Sequence, residues 1–422
     1  MSPGRMSGPL RCERMVHGGL CIAHDDSGAT FMIDAAIPGE LVDAEIRYRK
    51  RQTTFATARH IIEADADRVA PPCSYVPECG GCQLQHIAYP RQLALKREIL
   101  IDALTRQRVP MPSDVPVHGM PEPWRYRRRG EFHVVRSDRG GVELGFNRAR
   151  SWRPIAIADC LIHAGTITDF LPVLRELAAH GAQPGTPPLD TLHVTAGDGG
   201  ELLVRGKPRP ALGVRAVDEI ATAPGSELRV SLDATTMCWR DHTYRVTPDS
   251  FIQANWAQMD VLYECALRAL GDVSGLRVVD AYAGIGVLSV HLASGGTDVV
   301  CIESNRAAAR MGVLNARLND VAARVRYVAE PVERVLPQVG AGAGAVIVDP
   351  PRAGCHSAVT AWLALAGPDR VVYVSCDPAT LARDLHVLVA SGPYEITALD
   401  VVDMFPQTHH VETAVGLHRR VS

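Results

Sequence analysis

No apolar run in this chain approaches the ~20 residues a helix needs to cross a bilayer. The opening stretch "MSPGRMSGPL" lacks the apolar centre of a secretory leader. A cytoplasmic protein without a membrane partner is therefore expected. Overall charge is nearly balanced, with 44 Lys and Arg against 47 Asp and Glu, so it does not advertise a polyanionic partner. The 11 cysteines are odd in number, and without a leader they argue against a disulfide framework. Internal repeats are absent, and the one low-complexity tract is "VGAGAGA" at 339–345. There is no G-x-G-x-x-G and no Walker lysine, which counts against NAD and ATP.

What the chain has is unevenly placed. Residues 91–153 hold 14 Arg and Lys against 7 Asp and Glu, a local positive excess that suits a nucleic acid. Cys73, Cys79 and Cys82 lie in "CSYVPECGGCQLQH", and Cys160 lies in "IADCLIH". Four thiolates fit a [4Fe–4S] cluster or a tetrahedral zinc. The C-x5-C-x2-C spacing is wrong for paired C-x2-C zinc units, and unrelated buried thiols are the plain alternative.

At 422 residues the chain should hold two or three domains. Residues 1–62 cluster β-formers around the turn "PGE", which predicts a small barrel. Residues 63–240 carry the cysteines, a helical pattern at 89–104, and strands at 130–136, 142–147, 191–195 and 201–205, broken by "AQPGTPPL" and "RGKPRPALG". Residues 241–422 alternate continuous apolar runs with helical patterns. That rhythm predicts a parallel sheet covered on both faces, an α/β domain.

Ligands of an open parallel sheet bind at the carboxyl ends of its strands. Asp280, Gly284 and Gly286 in "VVDAYAGIG", Glu303 after "VVCI", Asp349 in "VIVDPPR" and Cys376 in "VVYVSCDP" all stand there. The pattern D-x-x-x-G-x-G with an acid at the next strand end fits S-adenosylmethionine, the acid taking the ribose hydroxyls. A thiol just before a helix start is expected to be favoured as thiolate. "DMFPQTHHVETAV" crowds His409, His410 and Glu412 together. The histidines lack the H-E-x-x-H metal arrangement. Glu412 suits proton abstraction, or it simply pairs with an arginine such as Arg419. A nucleophile, a base and a methyl donor fit one reaction. A thiolate adds to C6 of uracil, C5 takes a methyl group, and a base removes the C5 proton.

With "CGGCQLQH", "FIQAN", "DAYAGIG", "DPPRAG", "VVYVSCDPATLARDL" and "DMFPQTHHVE" in this order, the chain resembles the RNA uracil-C5 (5-methyluridine) methyltransferases. The likeness is to their iron–sulfur branch, bacterial 23S rRNA enzymes with an N-terminal TRAM domain. It is strong over 70–90 and 248–422. It implies a Rossmann-like catalytic domain, a central mostly-β domain with the cluster, and a TRAM-like, RNA-binding barrel over 1–62. It implies that Cys73, Cys79, Cys82 and Cys160 ligate [4Fe–4S], that Cys376 is the nucleophile, and that Glu412 accepts the proton. It further implies that Gln253, Tyr282, Gly284, Gly286, Glu303 and Asp349 bind the cofactor, with Phe251 and Asp349 near the target base. The RNA is expected to be ribosomal, with transfer RNA as the alternative, and the enzyme monomeric. Asp377 stands where the family often has Asn, and would raise the thiol pKa unless it points away. Val287 and Pro331 also depart from the family at adenosine-contacting positions. Two other classes compete. DNA cytosine-C5 methylation would need Pro-Cys at the nucleophile and Glu-Asn-Val; Cys376 follows Ser375 instead, and Glu-Asn-Val is missing. A non-enzymatic iron–sulfur RNA-binding protein would not need Cys376 and Glu412.

Overall fold

The computed structural model describes residues 5–136, 141–180, 188–207 and 229–420. The breaker segments "AQPGTPPL" and "RGKPRPALG" fall mostly outside them.

The chain begins with six strands, Met6–Arg11, Arg14–Val16, Leu20–His24, Thr30–Asp34, Leu41–Lys50 and Thr53–Glu63. They form one sheet in the order first, fifth, sixth, fourth, third, second. Alternation writes the inner face, where Cys21, Ile33, Val42, Ala44 and Ala56 are fully buried. In the "PGE" turn, Gly39 has φ +98°, and Glu40 is wholly buried. Its carboxylate accepts from Ile37 N at 2.8 Å and from Arg68 Nη2 at 2.6 Å, which ties the sheet to the segment that follows.

The helix Tyr89–Arg106 starts with Pro90 in its first turn, where no amide is needed. Its buried stripe is Gln92, Leu95, Lys96, Ile99, Leu100 and Leu104. The polar members face distant partners. Lys96 Nζ lies 2.5 Å from Asp403 Oδ1, and Gln92 Nε2 donates to Gln407 Oε1 at 2.9 Å. Val117–His118 then pairs in parallel with Val401–Val402. Residues 89–118, which the sequence pattern groups with 63–240, thus pack on the C-terminal sheet.

The middle sheet runs Pro154–Ala156, Val142–Asn147, Arg129–Arg136, Thr191–Ala196, Glu201–Lys207, Arg229–Ser231. It matches the expected strands closely. Helix Leu171–His180 covers it through Leu171, Leu174 and Leu177, against Phe132, Leu144 and Val194. The hairpin Thr235–Trp239 with His242–Val246 follows. The expected boundary at 240 falls in its turn.

The C-terminal sheet has eight strands. In spatial order they are Val325–Val328, Asp298–Ile302, Arg277–Ala281, Ala345–Val348, Arg370–Ser375, Glu412–Arg419, Tyr394–Val402 and Val117–His118. The first five are parallel, and Glu412–Arg419 is antiparallel to both its neighbours. The continuous apolar strands feed two cores. Val279, Val346 and Tyr373 pack on one face, and Val278, Ile347 and Val372 on the other. This is the α/β fold expected from the sequence. Strand order reverses between Arg277–Ala281 and Ala345–Val348, which opens a crevice at their carboxyl ends.

Candidate active site

Three loops line the crevice. After strand Arg277–Ala281 the chain turns sharply, with Tyr282 at φ +67° and Gly284 at φ +55°. Gly286, at φ +82°, caps helix Val287–Ser294, and a Cβ there would overlap the Tyr327 hydroxyl. Glu303 braces this turn, accepting from Gly284 N at 3.0 Å and from Asn305 N at 2.6 Å. The segment before helix Trp256–Leu270 forms another wall. Asn255 caps that helix by accepting from Gln258 N at 3.2 Å. The turn leaves Gln253 buried and Phe251 70% exposed.

Phe251, Gln253, Tyr282, Gly284 and Asp349 line one small cavity, together with Asp280, Met259, Tyr263 and Val287. Gly286 and Glu303 stand behind the lining and shape it. Pro331 does not line it; it caps helix Val332–Val339.

Cys376 and Glu412 lie next to this cavity rather than in its wall. Strand register brings them together. Ser375 pairs with Thr413, so Cys376 and Glu412 are one step further out on neighbouring strands. Glu412 is 5% exposed. Arg419 is not its partner, because that guanidinium bonds Leu363 O at 2.9 Å and Gly367 O at 3.0 Å.

Electrostatics ties cavity and rim into one unit. Burial pushes Asp280 up to about 6, against the pull of the Ser289 hydroxyl 2.5 Å away. Burial, then Asp280, pushes Asp349 up to about 7. Burial, then Asp349, drives Glu412 well above the carboxylate range, while Arg352 and Lys96 oppose it. The thiol departs from expectation. Burial, then Glu412 and Asp349, pushes Cys376 up to about 12, and only Arg352 pulls it down among the main influences. The helix start after Cys376 does not rescue the thiolate, because its free amides are taken. Asp377 Oδ1 accepts from Ala379 N and Thr380 N at 2.9 Å each. Asp377 thereby turns toward the helix and toward His17 Nδ1, 3.5 Å away, yet its charge still adds a small upward push on the thiol, as its place in the sequence led one to expect.

Arg352 of "DPPRAG" was not singled out from the sequence. It is a principal cation near the thiol, and it lies 3.4 Å from His410. Only its place directly after the strand-end Asp-Pro-Pro signalled it. His409 and His410 meet His17 at this rim, their ligand atoms within 4.8 Å of one another.

A second cavity, of about 200 Å³, gathers Cys73, Cys79, Cys82 and Cys160. All four are free thiols. Gly81 N points at Cys79 Sγ at 3.4 Å, and His163 Nδ1 lies 3.1 Å from Cys160 Sγ.

A family model described as tRNA (uracil-5-)-methyltransferase matches residues 229–420. An RNA methyltransferase of Halalkalibacterium halodurans, named as uncharacterized, is 35% identical over 96% of this chain and 95% of its own length. A 23S rRNA (uracil(1939)-C(5))-methyltransferase of Halomonas elongata is 32% identical, over 97% of this chain and 89% of that one. The chain belongs to the RNA uracil-C5 methyltransferases. As a member of that family it is an enzyme that uses S-adenosylmethionine to methylate uracil in RNA. Its fold is shared with the tRNA (uracil-54, C5)-methyltransferase of Pyrococcus abyssi, solved with S-adenosyl-L-homocysteine. The TM-score is 0.74 at 23% identity, over 97% of this chain and 100% of that one. Among the described residues, no helix of this methyltransferase is long and apolar enough to cross a membrane.

Proposed function

We propose that this methyltransferase acts on ribosomal RNA through a covalent adduct between Cys376 and uracil C6. The observation that carries this reading is the strand register that sets Cys376 beside Glu412, with Asp349 between them and the crevice. S-adenosylmethionine supplies the electrophilic methyl group and one positive charge. Gln253, Tyr282, Gly284, Gly286, Glu303 and Asp349 form its site, and exposed Phe251 waits at the mouth for the target base.

Cys376 must give its proton to water before its sulfur can attack C6, and Arg352 is the cation beside it that favours the thiolate. Addition to C6 makes C5 nucleophilic. After methyl transfer Glu412 takes the C5 proton, which lets the sulfur leave. Because its pKa is raised, Glu412 is a strong base once ionised. Asp349, raised to about 7 by burial and then by Asp280, can donate as well as accept toward a uracil edge.

We also propose that Cys73, Cys79, Cys82 and Cys160 hold a [4Fe–4S] cluster. The donor set fits: four free thiols share one cavity, and an amide and an imidazole point at two of the sulfurs. A cluster there would cross-link the 73–82 loop to the segment around Cys160.

Whole-length likeness to a 23S rRNA enzyme supports ribosomal RNA as the substrate. The test is tritium release from 5-tritiated uridine in total rRNA and in total tRNA. Release from rRNA is expected. Release confined to tRNA would transfer the proposal to tRNA.

A further inference from the structure

We propose that Trp152, on the hairpin loop 148–153, is a stacking platform for an unpaired base of the RNA substrate. The proposal rests on the reading of the chain as an RNA methyltransferase, and it concerns a surface outside the methyl-transfer cavity.

Trp152 is 93% exposed, the highest exposure among the large hydrophobic side chains described. An indole left in water departs from the ordinary fate of tryptophan, which is highly buried on average. The loop that carries it is built to hold it there. Arg148 N donates to Arg153 O at 2.9 Å, Ser151 N to Arg148 O at 3.0 Å, and Arg153 N to Ser151 Oγ at 3.0 Å. The loop is also anchored on two sides. Ala149 N donates to Glu78 O at 2.8 Å and Gly80 N to Asn147 O at 2.9 Å, while Arg148 pairs with Glu78. Arg150 reaches Asp34 of the first sheet at 2.9 Å. Gly80 suits this closeness, since a Cβ would make a tight 3.1 Å approach to Asn147 O. The indole is thus held out by a braced loop, and little order need be gained on binding.

Its surroundings select the partner. The indole borders a groove that also touches Gly81, Glu131, His133 and Asn147, with Arg148 and Arg150 in its wall. Arg153 follows the indole directly in the chain and is exposed, with no acidic partner among the described residues. An exposed aromatic face among cations matches the chemistry of a single strand: bases stack on the ring and phosphates meet the guanidiniums. A duplex offers no free base to stack.

The test uses the full-length protein with fluorescein-labelled oligouridylate, single-stranded and annealed to oligoadenylate. Trp152→Ala should weaken single-strand binding about ten-fold and duplex binding far less. Trp152→Phe should recover most of the loss. Arg153→Gln should reduce the salt slope by about one. Unchanged affinity for S-adenosylmethionine by calorimetry shows that the variants are folded. Wild-type affinity of Trp152→Ala for the single strand, or an equal loss for the duplex, would overturn the proposal. Failure of tritium release by the wild type would sink the methyl-transfer proposal instead and leave this binding result standing.

Discussion

The rim that holds Cys376 and Glu412 and the pocket of cysteines both bury groups that prefer to keep their protons, yet they are held in opposite ways. Across cavity and rim, Asp280, Asp349 and Glu412 sit on or just beyond strands of one sheet. Ladder bonds fix each backbone whatever the side chain does. In the pocket, three cysteines ride on a loop steadied by a few local bonds, such as Cys79 N to Tyr75 O at 2.8 Å and Gly80 N to Asn147 O at 2.9 Å. A sheet can carry buried, mutually repelling acids because its own hydrogen bonds do not depend on them. A loop depends on whatever it grips. Substitutions in the rim should therefore alter chemistry and spare the fold, while substitutions in the pocket should loosen structure.

The largest effect should come from the rim. Cys376→Ala is expected to abolish turnover and leave affinity for S-adenosylmethionine near wild type in calorimetry. Glu412→Gln should slow turnover by about 10²–10⁴-fold and accumulate a methylated RNA–enzyme complex on a denaturing gel. That band must vanish in the double variant with Cys376→Ala. A folded Glu412→Gln enzyme that releases product normally would pass the role to His409 or His410.

Next in size is the pocket. Cys79→Ser should remove the brown colour of anaerobically purified protein and lower Tm, because three thiolates leave one coordination position open. Colourless wild-type protein containing one zinc per chain would replace the cluster with zinc.

The smallest effect separates the regions by sign. Glu412 has a folded pKa well above its ordinary value. The stability it contributes is therefore full below the unfolded pKa and is lost as pH rises toward the folded one. Replacing it with neutral Gln should raise Tm on the order of 2–4 °C at about pH 8, and hardly at all near pH 4. A pH-independent Tm difference would mean that Glu412 is not held neutral by its surroundings.

The sequence announced the strands of the catalytic sheet because each is a continuous apolar run with a polar residue at its end. It announced Cys376 and Glu412 because a thiol and an acid interrupt such runs. Their adjacency was harder to read, since it depends on an antiparallel register between strands that the helix Pro378–Leu385 and the strand Tyr394–Val402 separate. The thiol's raised pKa was hidden for the same reason. The helix start was visible in "SCDP", but burial beside Asp349 and Glu412 was not. Nor did local pattern reveal where residues 89–118 pack. A helix stripe shows that it is buried, and does not show against what. Lys96 in that stripe was the clue, because a lysine on an apolar face needs a distant acid.

That buried pair has a consequence for how the protein is made. Lys96 and Asp403 are separated by 307 residues. At ribosomal speeds of about 5–20 residues per second, Lys96 is synthesised roughly 15–60 s before its acid exists. Meanwhile the helix Tyr89–Arg106 has no sheet to lie on, whereas the strands from Arg129 to Lys207 find their partners close by in sequence. The middle sheet can close first, as an insertion within a catalytic unit that is still incomplete. The helix is then recruited late, when the last strands emerge to meet it. A fragment cut to the matched segment 229–420 would keep Asp403 and Gln407 yet lose Lys96 and Gln92. It would expose the face those residues cover, so the unit that must be expressed to obtain a working enzyme reaches back to at least Tyr89.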